Sequence, residues 1–136
     1  MLGIDWRDEL RLGFTQIDEQ HKKLILTMSD LNQAIINKEA EKVLSATFSN
    51  LFDYTNNHFA LEEKYFDEFG YEDADTHKAA HAYFVQMLNE KFKRINSGDA
   101  HELSVELIGF LDLWLVGHIM VMDKKYEQCF KEHGVK

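Results

Sequence analysis

The chain has 136 residues, of which 45% are hydrophobic and 29% are charged, with a formal net charge of −9. These values are typical of one globular domain that is large enough for a single hydrophobic core, and the negative charge disfavours nucleic acid and anionic membrane surfaces as partners. The sequence has no proline and only 7 glycines, which favours long, uninterrupted helices.

Targeting and redox signals are few. Residues 1–7 lack the basic and apolar regions of a signal peptide, and no stretch is expected to reach the roughly 20 apolar residues of a membrane span. The single cysteine, Cys129, cannot form an internal disulfide, which fits a reducing compartment. We therefore expect a cytoplasmic protein without membrane insertion, and we expect it to be a monomer.

Apolar residues recur at alternating three- and four-residue steps in four segments, as on one face of an amphipathic helix. The pattern predicts an N-terminal arm over 1–17 and helices over about 18–37, 40–66, 74–96 and 100–130. Within the arm, Trp6 is interpreted as a packing anchor. Four such helices joined by short turns predict an all-α fold, an antiparallel up-down four-helix bundle that forms one domain over 1–136.

Individual residues refine this prediction. Asp18 is placed at the N-cap of the first helix and Asn37 at its end, and Gly70 ends the connection that follows the second helix. Gly109 and Gly117 each cost about 1 kcal/mol relative to alanine in a helix interior. We interpret these two glycines as points of close helix contact.

Histidines and carboxylates occupy positions where the helical pattern calls for apolar residues. His77 and His81 are four residues apart, which puts both imidazoles on one face of a helix. This is a chelating arrangement for a metal such as iron or zinc. His58 and Glu62 have the same spacing, and His21 lies in the apolar stripe of the first helix.

The last pair has a spacing that an α-helix does not accommodate. His118 and Asp123 are five residues apart, about 140° round an α-helix rather than about 40°. We therefore predict a single-turn π-bulge near residues 118–123, since such bulges cluster at functional sites.

These side chains should meet at one height in the bundle. His21, His58, His81 and His118 each lie about 17 to 20 residues from the turns predicted near 39 and 98, which is about 25–30 Å at ~1.5 Å per residue. Glu62 and Asp123 would cost several kcal/mol each if they faced an apolar core unpaired. A metal centre removes that cost, and five nitrogens with two carboxylates exceed the four ligands of one zinc and suit a pair of octahedral ions.

The chain resembles the hemerythrin family, specifically its single-domain bacteriohemerythrins. The resemblance covers nearly the whole sequence and rests on Trp6, Gly13, Ile17-Asp18-Glu19-Gln20-His21, His58-x-x-x-Glu62, His77-x-x-x-His81 and His118-Ile119-x-x-x-Asp123. It implies a non-haem centre of two iron ions. One iron would take His77, His81 and His118, and the other His21 and His58. Glu62 and Asp123 would bridge the two ions together with an oxo or hydroxo group.

The resemblance also implies that O2 is the ligand. Two octahedral irons need about twelve bonds, and this donor set supplies about eleven, so one position stays open on the two-histidine iron. An apolar pocket should cover that position. Its candidate residues, each about one turn from a ligand, are Leu24, Phe59, Trp114, Leu115 and Ile119.

Two functions remain open at this point. The first is reversible O2 binding without enzymatic activity, for carriage, storage or delivery to an oxygen-consuming enzyme. The second is a di-iron enzyme, either a peroxidase or oxidase or a protein that handles nitric oxide, and a sensor module is a third, weaker alternative. The apparent lack of a spare inward acid or base favours binding over O–O cleavage.

The remaining polar residues receive surface interpretations. His101 and His133 lie outside the predicted metal layer, and the acidic residues that follow Glu62, including Glu63, are interpreted as solvated. Outer hydrogen-bond partners should orient the ligand histidines, but the sequence does not identify them. Tyr126 is one candidate for such a partner, and structural packing is its default interpretation.

Overall fold

The computed structural model describes residues 10–136. Trp6, and with it most of the predicted N-terminal arm, lies outside the described residues. The described part of the arm contributes three buried anchors, Leu10, Leu12 and Phe14, each at most 1% exposed.

Four helical rods make up the described chain, and no strand occurs within residues 10–136. The first is α1 (Thr15–Ile36). The second is α2 (Ala40–Tyr54), a π-helical segment (Thr55–Phe59) and α3 (Ala60–Phe69) in direct succession. The third is α4 (Ala74–Phe92), and the fourth is α5 (Ala100–Trp114), a second π-helical segment (Leu115–Asp123) and the short α6 (Glu127–Glu132).

The rods pack as the predicted all-α bundle. Helix α1 lies against α2 and α5, and α3 lies against α4 and α6. One core cluster fills the bundle from Met28, Phe48 and Leu107 towards Ile119. A second, smaller cluster around Phe66, Tyr126 and Phe130 closes the other end and holds Leu12 and Phe14 of the arm. The polar layer lies where these two clusters meet.

The predicted cap at Asp18 was wrong. Helix α1 begins at Thr15, so Asp18 lies inside its first turn. The Asp18 carboxylate accepts hydrogen bonds from the backbone N–H groups of Leu12 (2.9 Å) and Gly13 (3.0 Å). It therefore ties the arm to the helix, while the predicted end at Asn37 is confirmed.

Other boundaries differ by a few residues. The second rod continues to Phe69, three residues beyond the prediction, and stops where Gly70 adopts φ +61°, a conformation that is open to glycine. Helix α4 ends at Phe92, and residues 93–96 form turns in place of the last helical turn that was predicted.

The predicted π-bulge near 118–123 is confirmed and is longer than one turn, spanning Leu115–Asp123. In a π-helix the hydrogen bond joins residues five apart, so His118 and Asp123 fall on the same face. The π segment at Thr55–Phe59 was not predicted, because the spacing from His58 to Glu62 already fits an α-helix.

Two expectations about the fourth rod were wrong. A Cβ added at Gly109 or Gly117 would meet no atom within 4 Å, so neither glycine lies at a helix contact within residues 10–136. The rod Ala100–Asp123 is also long and apolar enough to cross a membrane, with a mean hydropathy of 1.8 over its most apolar window. The core helix of a bundle meets the same criterion, and this rod supplies the fully buried Leu103, Leu107 and Leu111, although only 33% of its most apolar window is buried.

Candidate metal centre

All four rods deliver predicted ligand side chains to one buried layer. Helix α1 brings His21, the second rod His58 and Glu62, α4 His77 and His81, and the second π segment His118 and Asp123. None of these seven side chains is more than 3% exposed. His101 and His133 lie outside this layer, on the surface, as predicted.

The seven residues divide into two overlapping groups whose ligand atoms lie within 4.8 Å of one another. One group consists of Glu62, His77, His81 and His118. The other consists of His21, His58, Glu62 and Asp123. The ligand atoms of each group are close enough together to bind one metal ion, and Glu62 belongs to both groups.

Asp123 directs one carboxylate oxygen towards each group. Its Oδ1 lies 2.9 Å from Nε2 of His77 and 3.0 Å from Nε2 of His118. Its Oδ2 lies 3.1 Å from Nε2 of His21. The carboxylate therefore spans the space between the two groups.

Glu62 has the same disposition. Its Oε1 lies 3.0 Å from Nε2 of His81 and its Oε2 lies 3.4 Å from Nε2 of His58. Tyr126 donates a short hydrogen bond from its hydroxyl to Oε2. This bond fixes the Glu62 carboxylate, so Tyr126 is more than the packing residue that the sequence indicated.

Two polar side chains outside the layer orient the histidine rings. Nδ1 of His58 lies 2.6 Å from Oε1 of Gln20, and Nδ1 of His81 lies 2.8 Å from Oε2 of Glu63. Since these oxygens are acceptors, both rings carry their proton on Nδ1 and present a lone pair on Nε2. The interpretation of Glu63 as solvated surface was wrong, because its side chain is only 35% exposed.

With this tautomer, the buried layer can bind cations. The Nε2 lone pair of His81 faces the Oε1 of Glu62, and neither atom has a hydrogen-bond partner. Both oxygens of Asp123 also lack one, although three imidazole nitrogens lie within 3.1 Å of them. Lone pairs that converge in a buried interior repel one another unless a positive charge lies between them. The donor set of imidazole and carboxylate suits transition-metal ions.

The two carboxylates of the layer depend on positive charge around them. Burial and the neighbouring Asp123 oppose ionisation of Glu62, but positive charge on the rings of His58 and His81 outweighs both and lowers its pKa, and a cation takes over this role when the rings are neutral. Burial likewise opposes ionisation of Asp123, and His118, His21 and His77 together hold its pKa well below the usual range. Both carboxylates therefore remain anionic, which is the form that binds metal.

Aromatic rings cover the ligand histidines from the side of the larger core cluster. Phe59 stacks on His81 with ring centroids 3.8 Å apart and planes 3° apart. Trp114 stacks on His118 at 3.8 Å and 11°, and Tyr54 lies parallel to His58 at 5.0 Å. These contacts hold the imidazole planes and keep water away from them.

The predicted pocket residues all belong to the larger core cluster, namely Leu24, Phe59, Trp114, Leu115 and Ile119. A surface groove of about 750 Å³ runs between α1 and the second rod, and its wall includes Gln20, Leu24, Tyr54 and His58. Of the five predicted residues only Leu24 lines this groove. The groove reaches the group that contains two histidines, so it approaches the layer from the side of His58.

Fold and site together define a class of protein, a helical bundle with a buried layer of metal-ligating side chains between its rods. The hemerythrin HHE cation binding domain matches residues 12–129, and the chain belongs to the hemerythrin family.

Curated relatives agree with this assignment. A bacteriohemerythrin of Pseudomonas aeruginosa is 33% identical over 93% of this chain and 80% of its own length. A bacteriohemerythrin of Stenotrophomonas maltophilia is 33% identical over 98% of this chain and 85% of its own. A hemerythrin-like protein of Naegleria gruberi is 30% identical over 91% of each chain.

The contact between Glu63 and His81 leads to a first prediction. Replacing Glu63 with alanine is expected to weaken metal binding about 10- to 100-fold, because an imidazole without its outer acceptor is a less basic and less well oriented ligand. Competition with a metal-binding dye measures this affinity. The matched control is Glu68→Ala, since Glu68 forms only a surface ion pair with Lys64. Equal metal affinity in the two variants would remove Glu63 from the site.

Proposed function

We propose that the layer holds two iron ions and that the protein binds O2 reversibly. In this proposal His77, His81 and His118 bind one iron, and His21 and His58 bind the other. Glu62 and Asp123 bridge the ions together with an oxo or hydroxo group. The bridging assignment is supported by the two carboxylates, each of which directs one oxygen to each histidine group.

The observation that carries the function is the unequal division of the histidines. Three imidazoles converge on one side of the carboxylates and two on the other, so the second ion has one ligand fewer. An open coordination position is typical of a functional metal site rather than a structural one. A ferrous ion pair supplies the electrons and the open position that O2 binding requires.

The residues around the layer favour binding over further reaction. Loss of bound O2 as peroxide needs protons or water, and the apolar side chains of Leu24, Leu115 and Ile119 are at most 4% exposed. These side chains lower the local concentration of water. With little water near the layer, bound O2 is released as O2 instead of as peroxide.

We place this activity in the cytoplasm, as carriage, storage or delivery of O2 to an oxygen-consuming enzyme. The single free cysteine, Cys129, supports a reducing compartment.

Stopped-flow spectroscopy of the reduced, iron-loaded protein tests the proposal. Mixing with O2 is expected to give a visible absorption band that disappears under argon and returns with O2 over repeated cycles. Immediate, irreversible conversion to the ferric form would contradict reversible binding.

Leu115 provides a second prediction. Replacing Leu115 with alanine opens a cavity beside the layer, admits water and is expected to raise the autoxidation rate about tenfold or more, with iron content unchanged. The rate is followed by loss of the O2-dependent absorption band. Leu107→Ala is the matched control, since Leu107 is a fully buried leucine of the same core cluster two turns further from His118. An unchanged rate in Leu115→Ala, or an equal rise in both variants, would remove Leu115 from the pocket.

One observation favours the alternative of a di-iron enzyme. The hydroxyl of Tyr54 is buried next to the indole N–H of Trp114, and the ring stacks on His58 of the two-histidine group. Burial, followed by the charges of Asp123 and Glu62, raises the pKa of Tyr54 well above its ordinary value, so the phenol keeps its proton. The sequence did not identify this buried proton donor.

Tyr54→Phe separates the two functions. If the protein is an O2 carrier, the variant keeps reversible O2 binding and the wild type oxidises no co-substrate. If the protein is a peroxidase or oxidase, the wild type turns over a reducing co-substrate and the variant loses most of that turnover.

A further inference from the structure

Two of the ligand histidines have outer hydrogen-bond acceptors that differ in charge. The Nδ1–H of His81, in the three-histidine group, donates to Oε2 of Glu63 at 2.8 Å. The Nδ1–H of His58, in the two-histidine group, donates to Oε1 of Gln20 at 2.6 Å. Both contacts join a ring nitrogen to a side-chain oxygen, but one acceptor is a carboxylate and the other is a neutral amide.

The charge of Glu63 is directed at one ring. Within residues 10–136, Glu63 forms no ion pair other than the one with His81. Lys78, which lies on the same helix as His81, pairs instead with Asp67 at 2.6 Å. Because the side chain of Glu63 is only partly exposed and that of His81 is buried, water screens this interaction incompletely.

No second outer carboxylate balances Glu63 in the part of the chain that the structure describes. The Nδ1 atoms of His21 and His118 are buried without a hydrogen-bond partner. Inside the layer, Glu62 and Asp123 each direct an oxygen to both groups, so they do not distinguish one group from the other. The outer acceptors therefore add a negative charge to the three-histidine group and none to the two-histidine group.

This difference affects how strongly each ring donates electrons to a metal ion. A hydrogen bond to a charged acceptor is stronger than one to a neutral acceptor, and an outer carboxylate raises the basicity of the imidazole that donates to it. A more basic ligand stabilises the more highly charged state of its ion. The carboxylate of Glu63 therefore favours the ferric state at the three-histidine group, and the amide of Gln20 leaves the other group closer to the ferrous state.

We propose that the charge difference between Glu63 and Gln20 gives the two ions unequal reduction potentials and keeps the two-histidine ion, which has the open position, the easier one to hold ferrous. This inference rests on the proposed iron pair and O2 binding. Reversible binding requires the ions to recover their electrons when O2 leaves, and a neutral acceptor on His58 favours that recovery. Gln20 is thus a positioning residue that acts through His58.

Exchanging the acceptors tests the proposal. Gln20→Glu and Glu63→Gln keep the length of the side chain and its acceptor oxygen, so each variant changes the charge and retains the hydrogen bond. Stepwise anaerobic reduction of the iron-loaded chain, followed by absorption and Mössbauer spectroscopy, measures the reduction equilibrium of each ion. Gln20→Glu should make the two-histidine ion about tenfold harder to reduce, and Glu63→Gln should make the three-histidine ion about tenfold easier to reduce.

The opposite directions separate this effect from a purely structural one. Loss of ring orientation would disturb both variants in the same direction. The autoxidation rate should rise in Gln20→Glu and fall in Glu63→Gln. The double variant adds one charge and removes one, so its mean ease of reduction for the two ions should return to that of the wild type.

Zinc binding gives a measurement that needs neither iron nor O2. In competition with a metal-binding dye, the chelator-treated chain should bind Zn²⁺ about tenfold more tightly in Gln20→Glu and about tenfold more weakly in Glu63→Gln. The matched control for the first is Gln16→Glu, since Gln16 is exposed one turn before Gln20 and lines the same groove. Glu68→Gln controls for the second, and both controls should bind Zn²⁺ like the wild type.

Each result decides the proposal. Zinc affinities and reduction equilibria that do not change, or that change in the same direction in both variants, would overturn it. An equal effect of Gln16→Glu and Gln20→Glu would also overturn it, because the contact with His58 would then be irrelevant. Opposite shifts in a chain that does not bind O2 reversibly would support the role of the two acceptors and contradict only the proposed function.

Discussion

Replacing His118 with alanine is expected to lower bound iron from two ions per chain to one or none. His118 is one of three imidazoles in its group, and its Nε2 lies 3.0 Å from both the Nε2 of His77 and the Oδ1 of Asp123. Its loss removes a ligand and leaves an Asp123 oxygen without its cation. Iron analysis of the purified protein, together with the visible spectrum, measures the effect.

His77→Ala should have the same consequence, because His77 binds the same ion in the proposed centre and its Nε2 lies near both carboxylates. The matched control is His101→Ala, since His101 is an exposed histidine outside the layer and its loss should leave two ions in place. Full iron loading in His77→Ala or His118→Ala would contradict the assignment of that residue as a ligand.

Removing the metal is expected to lower the midpoint of thermal unfolding by about 10 °C or more. A ligand that binds only the folded chain at 1,000 times its dissociation constant adds about 4 kcal/mol of stability, and 1 kcal/mol corresponds to about 2–4 °C for a chain slightly longer than this one. Without cations, Glu62 and Asp123 remain fully buried beside lone pairs that repel them. Calorimetry before and after treatment with a chelator measures the shift.

Two further measurements test whether the loss of metal causes the shift in the thermal midpoint. Adding ferrous iron back without oxygen should restore the original midpoint. The same chelator should shift the midpoint of His118→Ala much less, because that variant holds less metal at the start. A wild-type midpoint that does not change on metal removal would show that the layer does not depend on cations for its stability.

Both predictions depend on the buried layer of ligand side chains, and the residues of this layer can be predicted from the sequence. Helical periodicity turns His77 and His81 towards the core together, and the same rule turns His21, His58 and Glu62 inwards on their own helices. Equal distances from the predicted turns place these residues at one height. The spacing from His118 to Asp123 even indicated the π-helical geometry that the second π segment shows.

Contacts between rods were harder to predict. Glu63 follows a predicted ligand and Gln20 precedes one, yet only the rotation of their helices shows that Glu63 reaches His81 and Gln20 reaches His58. Their position next to a ligand, on the polar margin of a helix, was the available signal. The π segment at Thr55–Phe59 could not be predicted from the sequence. One extra residue in a helical turn does not visibly change the spacing of the apolar residues, and the four-residue spacing from His58 to Glu62 fits an ordinary α-helix.

The sequence by itself determined the helical bundle, the inward side of each helix and the seven chelating residues, since these follow from local spacing and from the cost of burying charge. Tertiary structure alone decided which oxygen faces which histidine, which ring nitrogen carries the proton, and that Tyr54 lies beside His58 while Leu113 faces outwards. These features depend on the rotation and offset of one rod against another, which arise from packing across the whole core and are not encoded in any single stretch of chain.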